Sequence, residues 1–351
     1  MTRILIVNQI NPEKEMLQEA AEAIQKGGIV VFPTETVYGI GADAFNPEAC
    51  KKIFEIKKRP MDNPLIVHIA DYQQLREVST DLDGEFLKVA KVLWPGPVTF
   101  ILKKSKKVPD EVSAGLETIA VRMPAHPVAL ALIRQSGTPI AAPSANISKK
   151  PSSTKAEHVI KDFDGKVDVI LDGGDTAFGL ESTIIDMTVA PHVLLRPGAF
   201  TIEELQRYLG PITIPDSINR QLKESETAIA PGMKYRHYAP DKKLLAIKKE
   251  LIAKISRISG NDKRIAVLCS NEIADELDVD LEVIKLGNEE NLYEIAKNLF
   301  DAFRKLDKME IEVAFVEMFP ERGIGLAIRN RTLKAAGSDP IDSFEKLKDC
   351  F

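Results

Sequence analysis

The 351-residue chain holds only three cysteines, Cys50, Cys269 and Cys350, with no C-x-x-C spacing among them. With no histidine cluster beside them, they make neither a disulfide framework nor a zinc site and read as reduced packing thiols. Long apolar runs are missing as well. No stretch approaches the ~18 uninterrupted apolar residues that span a bilayer. The opening MTRILIVNQINPEKE turns charged too soon for a signal peptide. A cytoplasmic protein without membrane contact is the expectation. A basic excess is also lacking: net charge is −5, and residues 1–205 carry 23 Lys and Arg against 27 Asp and Glu, leaving 24 against 25 beyond them. Neither part has the cation surplus of a protein that wraps nucleic acid. A small anionic ligand held by a few placed cations fits better.

What is present is ordinary globular material, with 44% hydrophobic and 28% charged residues. That is enough for two cores, and the length favours two domains. Up to residue 210, strand-like and helix-like segments alternate. Residues 13–26 read as a helix, with Met16, Leu17, Ala20, Ala23 and Ile24 at i, i+3, i+4 spacing and Gly27-Gly28 as its stop. Asn46-Pro47 opens a second helix through about Lys57, as an N-cap followed by proline. Further helices are expected over 85–94, 127–136 and 155–163. Thr201-x-x-Glu204 is a capping box for a last helix ending near Leu209-Gly210. The expected strands are 29–32, 65–69, 98–103, 118–122, 139–142, 169–172, 183–187 and 193–196. Such alternation implies an α/β domain, and the adjacent strands of 169–196 make its sheet mixed.

Between residues 211 and 240 periodicity fails and prolines recur, so this stretch reads as a linker. Connections that long are usually functional or disordered. From 241 to 351 alternation resumes, with strands near 244–248, 264–270, 282–286 and 313–318 and a helix over 291–306. This is a smaller, Rossmann-like α/β domain with a parallel sheet. It has no G-x-G-x-x-G after its first strand, so a dinucleotide is not implied.

Several constellations carry chemistry. Lys57-Lys58-Arg59-Pro60, followed by Asp62-Asn63-Pro64, closes a helix where the macrodipole favours cations; alone it reads as a solvated helix end. The strand that follows at once, containing His68, makes phosphate neutralisation a competing reading. His68 lies among Ile66, Val67, Ile69 and Ala70, and a satisfied core histidine is its plainer reading. Pro143-Ser144-Ala145-Asn146 follows a strand, where ligands of open α/β sheets gather, although Ser and Asn are also common turn residues. Pro33 to Gly41 (PTETVYGIG) stands at another strand end, with hydroxyls for a polar ligand and glycines for close backbone approach. Gly173-Gly174 and Glu181-Ser182-Thr183 repeat that arrangement. Arg122 and Arg196 each end an apolar strand, positions suited to a carboxylate or phosphate partner. In the linker, APGMKYRHYAP concentrates two tyrosines, a histidine and two cations, suited either to closing over a nucleotide or to docking by aromatic packing.

Taken together and in order, PTETVYGIGADAF, KKRPMDNPLIVHI, WPGPVTFIL, VRMPAHP, PIAAPSANIS, GLESTII and LLRPGAF resemble the YrdC-type threonylcarbamoyl-AMP synthases. The linker and trailing domain resemble the longer, two-domain form. The resemblance implies a twisted mixed-sheet domain enclosing a basic cavity (residues 1–210), a linker acting as a lid (211–240) and a C-terminal domain (241–351). It implies that L-threonine, bicarbonate and ATP give threonylcarbamoyl-AMP and pyrophosphate, for a downstream tRNA threonylcarbamoyl transferase complex. Contact with tRNA itself is not required. The family signature K-x-R…S-x-N corresponds to Lys57, Arg59, Ser144 and Asn146. These would contact ATP with Asn63, Thr118, Ser152, Arg196 and, from the linker, Tyr235; Lys57 and Arg59 would serve catalysis. Thr36, His68, Arg122, Ala142 through its backbone and Ser182 would form the threonine pocket. Mg²⁺ would be held by the ATP phosphates, with no protein metal site. Two alternatives compete. A carbamoyl-adenylate former would bring acylphosphatase and zinc-finger segments, which the absence of C-x-x-C disfavours. An RNA-binding, translation-associated module using the same cavity is disfavoured by the acidity of both parts.

Overall fold

The computed structural model describes residues 1–219, 229–231, 237–255, 264–277 and 281–350. Eleven strands among them form one mixed sheet: β1 (Arg3–Ile6), β2 (Val30–Phe32), β3 (Gly39–Asp43), β4 (Ile66–His68), β5 (Val98–Lys103), β6 (Thr118–Arg122), β7 (Ile140–Ala141), β8 (Val169–Asp172), β9 (Thr183–Asp186), β10 (His192–Arg196) and β11 (Ile212–Thr213). Their order is β1-β8-β2-β3-β7-β4-β6-β5-β9-β10-β11. The pair β4–β6 is parallel and sets His68 beside Arg122, while β7 runs antiparallel to both β3 and β4. Helices cover this sheet and bury an apolar core that includes Val31, Ile40, Ile53, Phe54, Val67, Phe100 and Phe163.

Local chemistry explains the elements that frame the site. The helix Pro47–Lys57 begins where the Asn46 side chain accepts the Ala49 N–H at 3.1 Å, and it ends at Lys58 in the left-handed conformation. The turn delivers Lys57 inward. The helix Pro127–Ser136 is stopped by Gly137 at φ 68°, and the capping box of Thr201 and Glu204 opens the helix Ile202–Leu209. Strand β3 is glycine-rich because its neighbours press on it. A Cβ on Gly41 would lie 2.5 Å from Ile140 Cγ2 and 2.9 Å from the Phe32 ring.

The structure departs from the sequence reading in several places. Arg3–Ile6 and Gly39–Asp43 are strands, and Tyr72–Val78 is a helix, none of which the periodicity had marked. The first sheet continues past residue 210, since Ile212–Thr213 pairs in parallel with β10 and Asp216–Asn219 forms a short 3₁₀ turn.

The second domain carries β12 (Lys243–Ile247), β13 (Ile265–Cys269), β14 (Glu282–Lys285) and β15 (Val313–Glu317), parallel throughout and ordered β12-β15-β13-β14. Its helices Leu292–Leu306 and Ile324–Ala336 lie against the first domain. Val37, Leu180, Ala199 and Tyr238 join the apolar cluster of Leu299, Phe300 and Ile328. Tyr238 stacks on Phe300 with 5.1 Å between ring centres. Arg304 reaches across to the Pro151 carbonyl at 2.8 Å and to Asp162 at 2.7 Å. The interface is therefore apolar and charged at once.

Gly41→Ala should destabilise the first domain by about 1–3 kcal/mol through overpacking against Ile140 and Phe32. Urea denaturation followed by circular dichroism measures it; an unchanged midpoint would show that β3 yields without cost.

Candidate active site

One cleft, with about 690 Å³ of open space including its mouth, gathers the strand ends of the first domain. Its walls include Thr36, Lys57, Arg59, His68, Arg122, Ala142, Ser144, Asn146, Ser182 and Arg196, all drawn from the sequence-based candidates. The same walls add Lys149, Lys150 and Glu181, and, from the linker, Pro231, His237 and Tyr238. Among the described residues, six that line the cleft are Lys or Arg and one is acidic, so the cleft is built for an anion.

Lys57 is 1% exposed, and its ammonium donates to the Ser144 carbonyl at 2.6 Å and to the Asn146 carbonyl. The serine hydroxyl in turn donates to Asn146 Oδ1 at 2.6 Å, and Asn146 Nδ2 donates to the carbonyls of Ile147 and Lys150 at 2.9 and 2.8 Å. The two halves of the K-x-R…S-x-N signature are thus one bonded unit. Burial pushes the Lys57 ammonium well below its ordinary pKa, and Arg59 adds to the effect while Asp162 opposes it. Arg59, half-buried, donates to the carbonyls of Asn63 and Pro64 at 3.2 and 3.3 Å.

Arg122 donates from Nη1 to Thr36 Oγ1 at 2.8 Å and from Nε to the Gly96 carbonyl at 3.4 Å, and its Nη2 pairs with Glu35 at 2.6 Å. Beside it, His68 packs edge-on against Phe32, with Nδ1 3.2 Å from the Ile66 carbonyl. Burial, then the Arg122 charge, drops the His68 pKa from 6.5 to about 3, so its ring is neutral at pH 7. Arg196 donates to the Ser182 carbonyl and hydroxyl, both at 3.1 Å, and to the Pro231 carbonyl at 3.3 Å. Ser182 Oγ also lies 2.7 Å from Thr99 Oγ1.

The remaining candidates lie elsewhere. Asn63 is buried behind Arg59, with its Oδ1 lacking a hydrogen-bond partner among the described residues. Ser152 sits behind the wall, donating to Glu181 Oε1 at 2.5 Å. Thr118 starts β6, so it shares the face of Arg122 but lies four residues, about 13 Å, along the strand. Tyr235 falls outside the described residues. Gly173-Gly174 does not reach the cleft: Tyr38 accepts the Gly173 N–H and donates to the Gly174 carbonyl. Sequence reasoning missed Glu35, Glu181, Lys149 and Lys150. Glu35 and Glu181 were in quoted motifs, but their pairing with distant arginines had no local signal.

Comparisons with known proteins identify the family. Residues 22–198 match the family model Sua5_yciO_yrdC, described as "Telomere recombination", and residues 200–337 match Sua5_C, the threonylcarbamoyl-AMP synthase C-terminal domain. The chain is 46% identical to the threonylcarbamoyl-AMP synthase of Pyrococcus abyssi, covering 96% of this chain and 98% of that one. It is 44% identical to the Bacillus subtilis threonylcarbamoyl-AMP synthase, over 96% of this chain and 97% of the relative. Among solved structures, P. abyssi Sua5 complexed with L-threonine superposes with a TM-score of 0.89 at 46% identity, covering 96% of this chain and 98% of that one. The chain belongs to the two-domain threonylcarbamoyl-AMP synthase family.

Because the unfolded chain binds a His68 proton near pH 6.5 and the folded protein only near 3, the unfolded state holds more protons between those values. Stability from this residue is therefore full above pH 6.5 and falls as pH drops toward 3, at up to ~1.4 kcal/mol per unit. His68→Gln should flatten the decline of the urea midpoint between pH 6.5 and 5; an identical slope would contradict a neutral, buried His68.

Proposed function

We propose that this cleft joins ATP, L-threonine and bicarbonate to make L-threonylcarbamoyl-AMP, releasing pyrophosphate. The observation that carries the reading is the cation-lined cleft itself, with Arg122 and neutral His68 side by side on β6 and β4. In this reading Arg122 takes the threonine carboxylate, using the hydrogens of its terminal nitrogens that Thr36 and Glu35 leave over. Thr36, His68 and Ser182 surround the substrate hydroxyl, and the Ala142 backbone completes the pocket. Leaving such polar groups unpaired is what rejects valine, worth a factor of up to ~10⁴.

The nucleotide lies along Lys57, Arg59, Ser144, Asn146 and Arg196, with Asn63, Thr118, Ser152 and Tyr235 assigned to the same half of the site. Threonine's amine first attacks the bicarbonate carbon, a C–O bond breaks and water leaves, giving an N-carboxylate. A carbamate oxygen then attacks the α-phosphorus, and the bond to the bridging oxygen breaks as pyrophosphate leaves with the electron pair. Such a step needs alignment and charge neutralisation, not a protein nucleophile. Arg59 supplies fixed positive charge at the phosphates, and Lys57, whose charged form burial disfavours, gains in them the counter-charge that stabilises its ammonium. Mg²⁺ fits as part of the MgATP substrate. Glu181, the one carboxylate that lines the cleft among the described residues, already accepts from Ser152 and Arg331. Pro231, His237 and Tyr238 of the linker, which line the cleft, shield the mixed anhydride from water. The product then serves, in the cytoplasm, a transferase complex that modifies tRNA.

Mass spectrometry of nucleotides after incubation with MgATP, bicarbonate and threonine tests the reading. It expects a threonylcarbamoyl-AMP peak that requires both threonine and bicarbonate and is absent with valine. Folded protein that binds ATP but yields no such peak contradicts it. Arg122→Lys, which removes the fork but keeps the charge, should raise KM for threonine at least about tenfold and leave KM for ATP within about threefold. Equal rises in both would place Arg122 outside the threonine pocket.

A further inference from the structure

Glu181 is the anomaly of the cleft: a buried carboxylate on the wall of a site built to receive polyphosphate. Its partner does not come from the same domain. Arg331, fully buried in the helix Ile324–Ala336, donates from Nε to Glu181 Oε2 at 2.8 Å, across 150 residues of sequence. Its Nη1 donates to the Pro197 carbonyl at 2.9 Å, one residue beyond Arg196. The other carboxylate oxygen, Oε1, takes the Ser152 hydroxyl. The guanidinium also lies 5.4 Å from the centre of the Tyr238 ring, so one side chain of the second domain touches the wall, the strand end and the linker.

We propose that Arg331 is a positioning residue for nucleotide binding: it fixes and neutralises Glu181, so that the cleft keeps the net positive charge that the triphosphate needs. The inference rests on the reading of this cleft as the ATP site. Without Arg331, Glu181 would lose the one cation that is hydrogen-bonded to it among the described residues, leaving only the longer-range attraction of Arg196 and Lys334. Repulsion of a single ligand charge at ~8 Å, with an effective dielectric of about 20, corresponds to roughly thirtyfold in affinity. The carboxylate would also be free to turn toward Arg196 and pull it off Ser182. Although burial alone drives the Glu181 carboxyl upward, Arg331 and then Arg196 outweigh it and hold the group below its ordinary range. The second domain thereby contributes to the charge pattern of the cleft, where Lys334 also lies within electrostatic reach of Glu181 and Arg196.

The test compares full-length Arg331→Met and the double variant Arg331→Met/Glu181→Gln with wild type, titrating ATP and threonine separately by calorimetry. The proposal expects Arg331→Met to weaken ATP at least about tenfold and threonine less than about twofold, with the double variant recovering to within about threefold of wild type. A general loosening of the interface would weaken both ligands alike and would not be relieved by removing the second charge. Either that pattern or unchanged ATP affinity in Arg331→Met overturns the proposal. Should Arg331→Met fold poorly, the double variant, which buries no unpaired charge, decides alone: near-wild-type ATP affinity supports the proposal and a tenfold loss overturns it. Wild-type protein that binds no ATP contradicts the nucleotide reading instead, and the proposal with it.

Discussion

The ammonium of Lys57 is buried against two backbone carbonyls, those of Ser144 and Asn146, and the cleft is organised around that choice of partner. A carboxylate in their place would fix the lysine equally well but cancel its charge. Carbonyls fix it and leave the charge in place. Arg59 repeats the device with the carbonyls of Asn63 and Pro64, and Arg196 with those of Ser182 and Pro231. Side chains are held in position before any ligand arrives, at the expense of burying cations that only a polyanion can satisfy fully. The helix that ends at Lys57, the self-bonded loop at Ser144–Asn146 and the short strands β4, β6 and β7 all serve to hold these groups within one small volume.

Carboxylates approach three of the cations at or behind the cleft: Lys150 pairs with Asp241 and, at 3.8 Å, with Asp307. Glu35 pairs with Arg122, which keeps terminal N–H groups for a second anion. Glu181 pairs with Arg331, so the charge it brings to the wall is answered from the other domain. The apolar contacts of Val37, Leu180, Ala199 and Tyr238 with the second-domain helices set that domain firmly enough for a 2.8 Å ion pair to matter. Interdomain packing and site electrostatics are in this sense one problem.

Much of the scaffold was legible before the structure. The strands at 98–103, 118–122 and 169–172 coincide with β5, β6 and β8 because each is a short apolar run bounded by breakers or charge. The caps at Asn46 and Thr201 are where side-chain chemistry put them. Strand β3 was hidden because glycine carries no strand signal; its place is fixed by Phe32 and Ile140, which are far off in sequence or on another strand. Strand β1 was hidden because Ile4 and Ile6 face outward at the sheet edge, giving no buried alternation to read. In the site, residue types at strand ends pointed to the cleft, and ten of those candidates line it. What no local pattern could give was pairing: Lys57 to a loop 87 and 89 residues on, and Glu181 to Arg331.

The central claim is that the fold holds cations whose charge is left for an incoming polyphosphate. It is tested most directly by thermal melting with saturating ATP, pyrophosphate or adenosine in turn, at fixed ionic strength. A ligand bound only by the folded state raises the melting temperature. The account predicts a rise of several degrees with ATP and with pyrophosphate, reduced by added salt, and little change with adenosine. A rise with adenosine equal to that with ATP, and none with pyrophosphate, would contradict it.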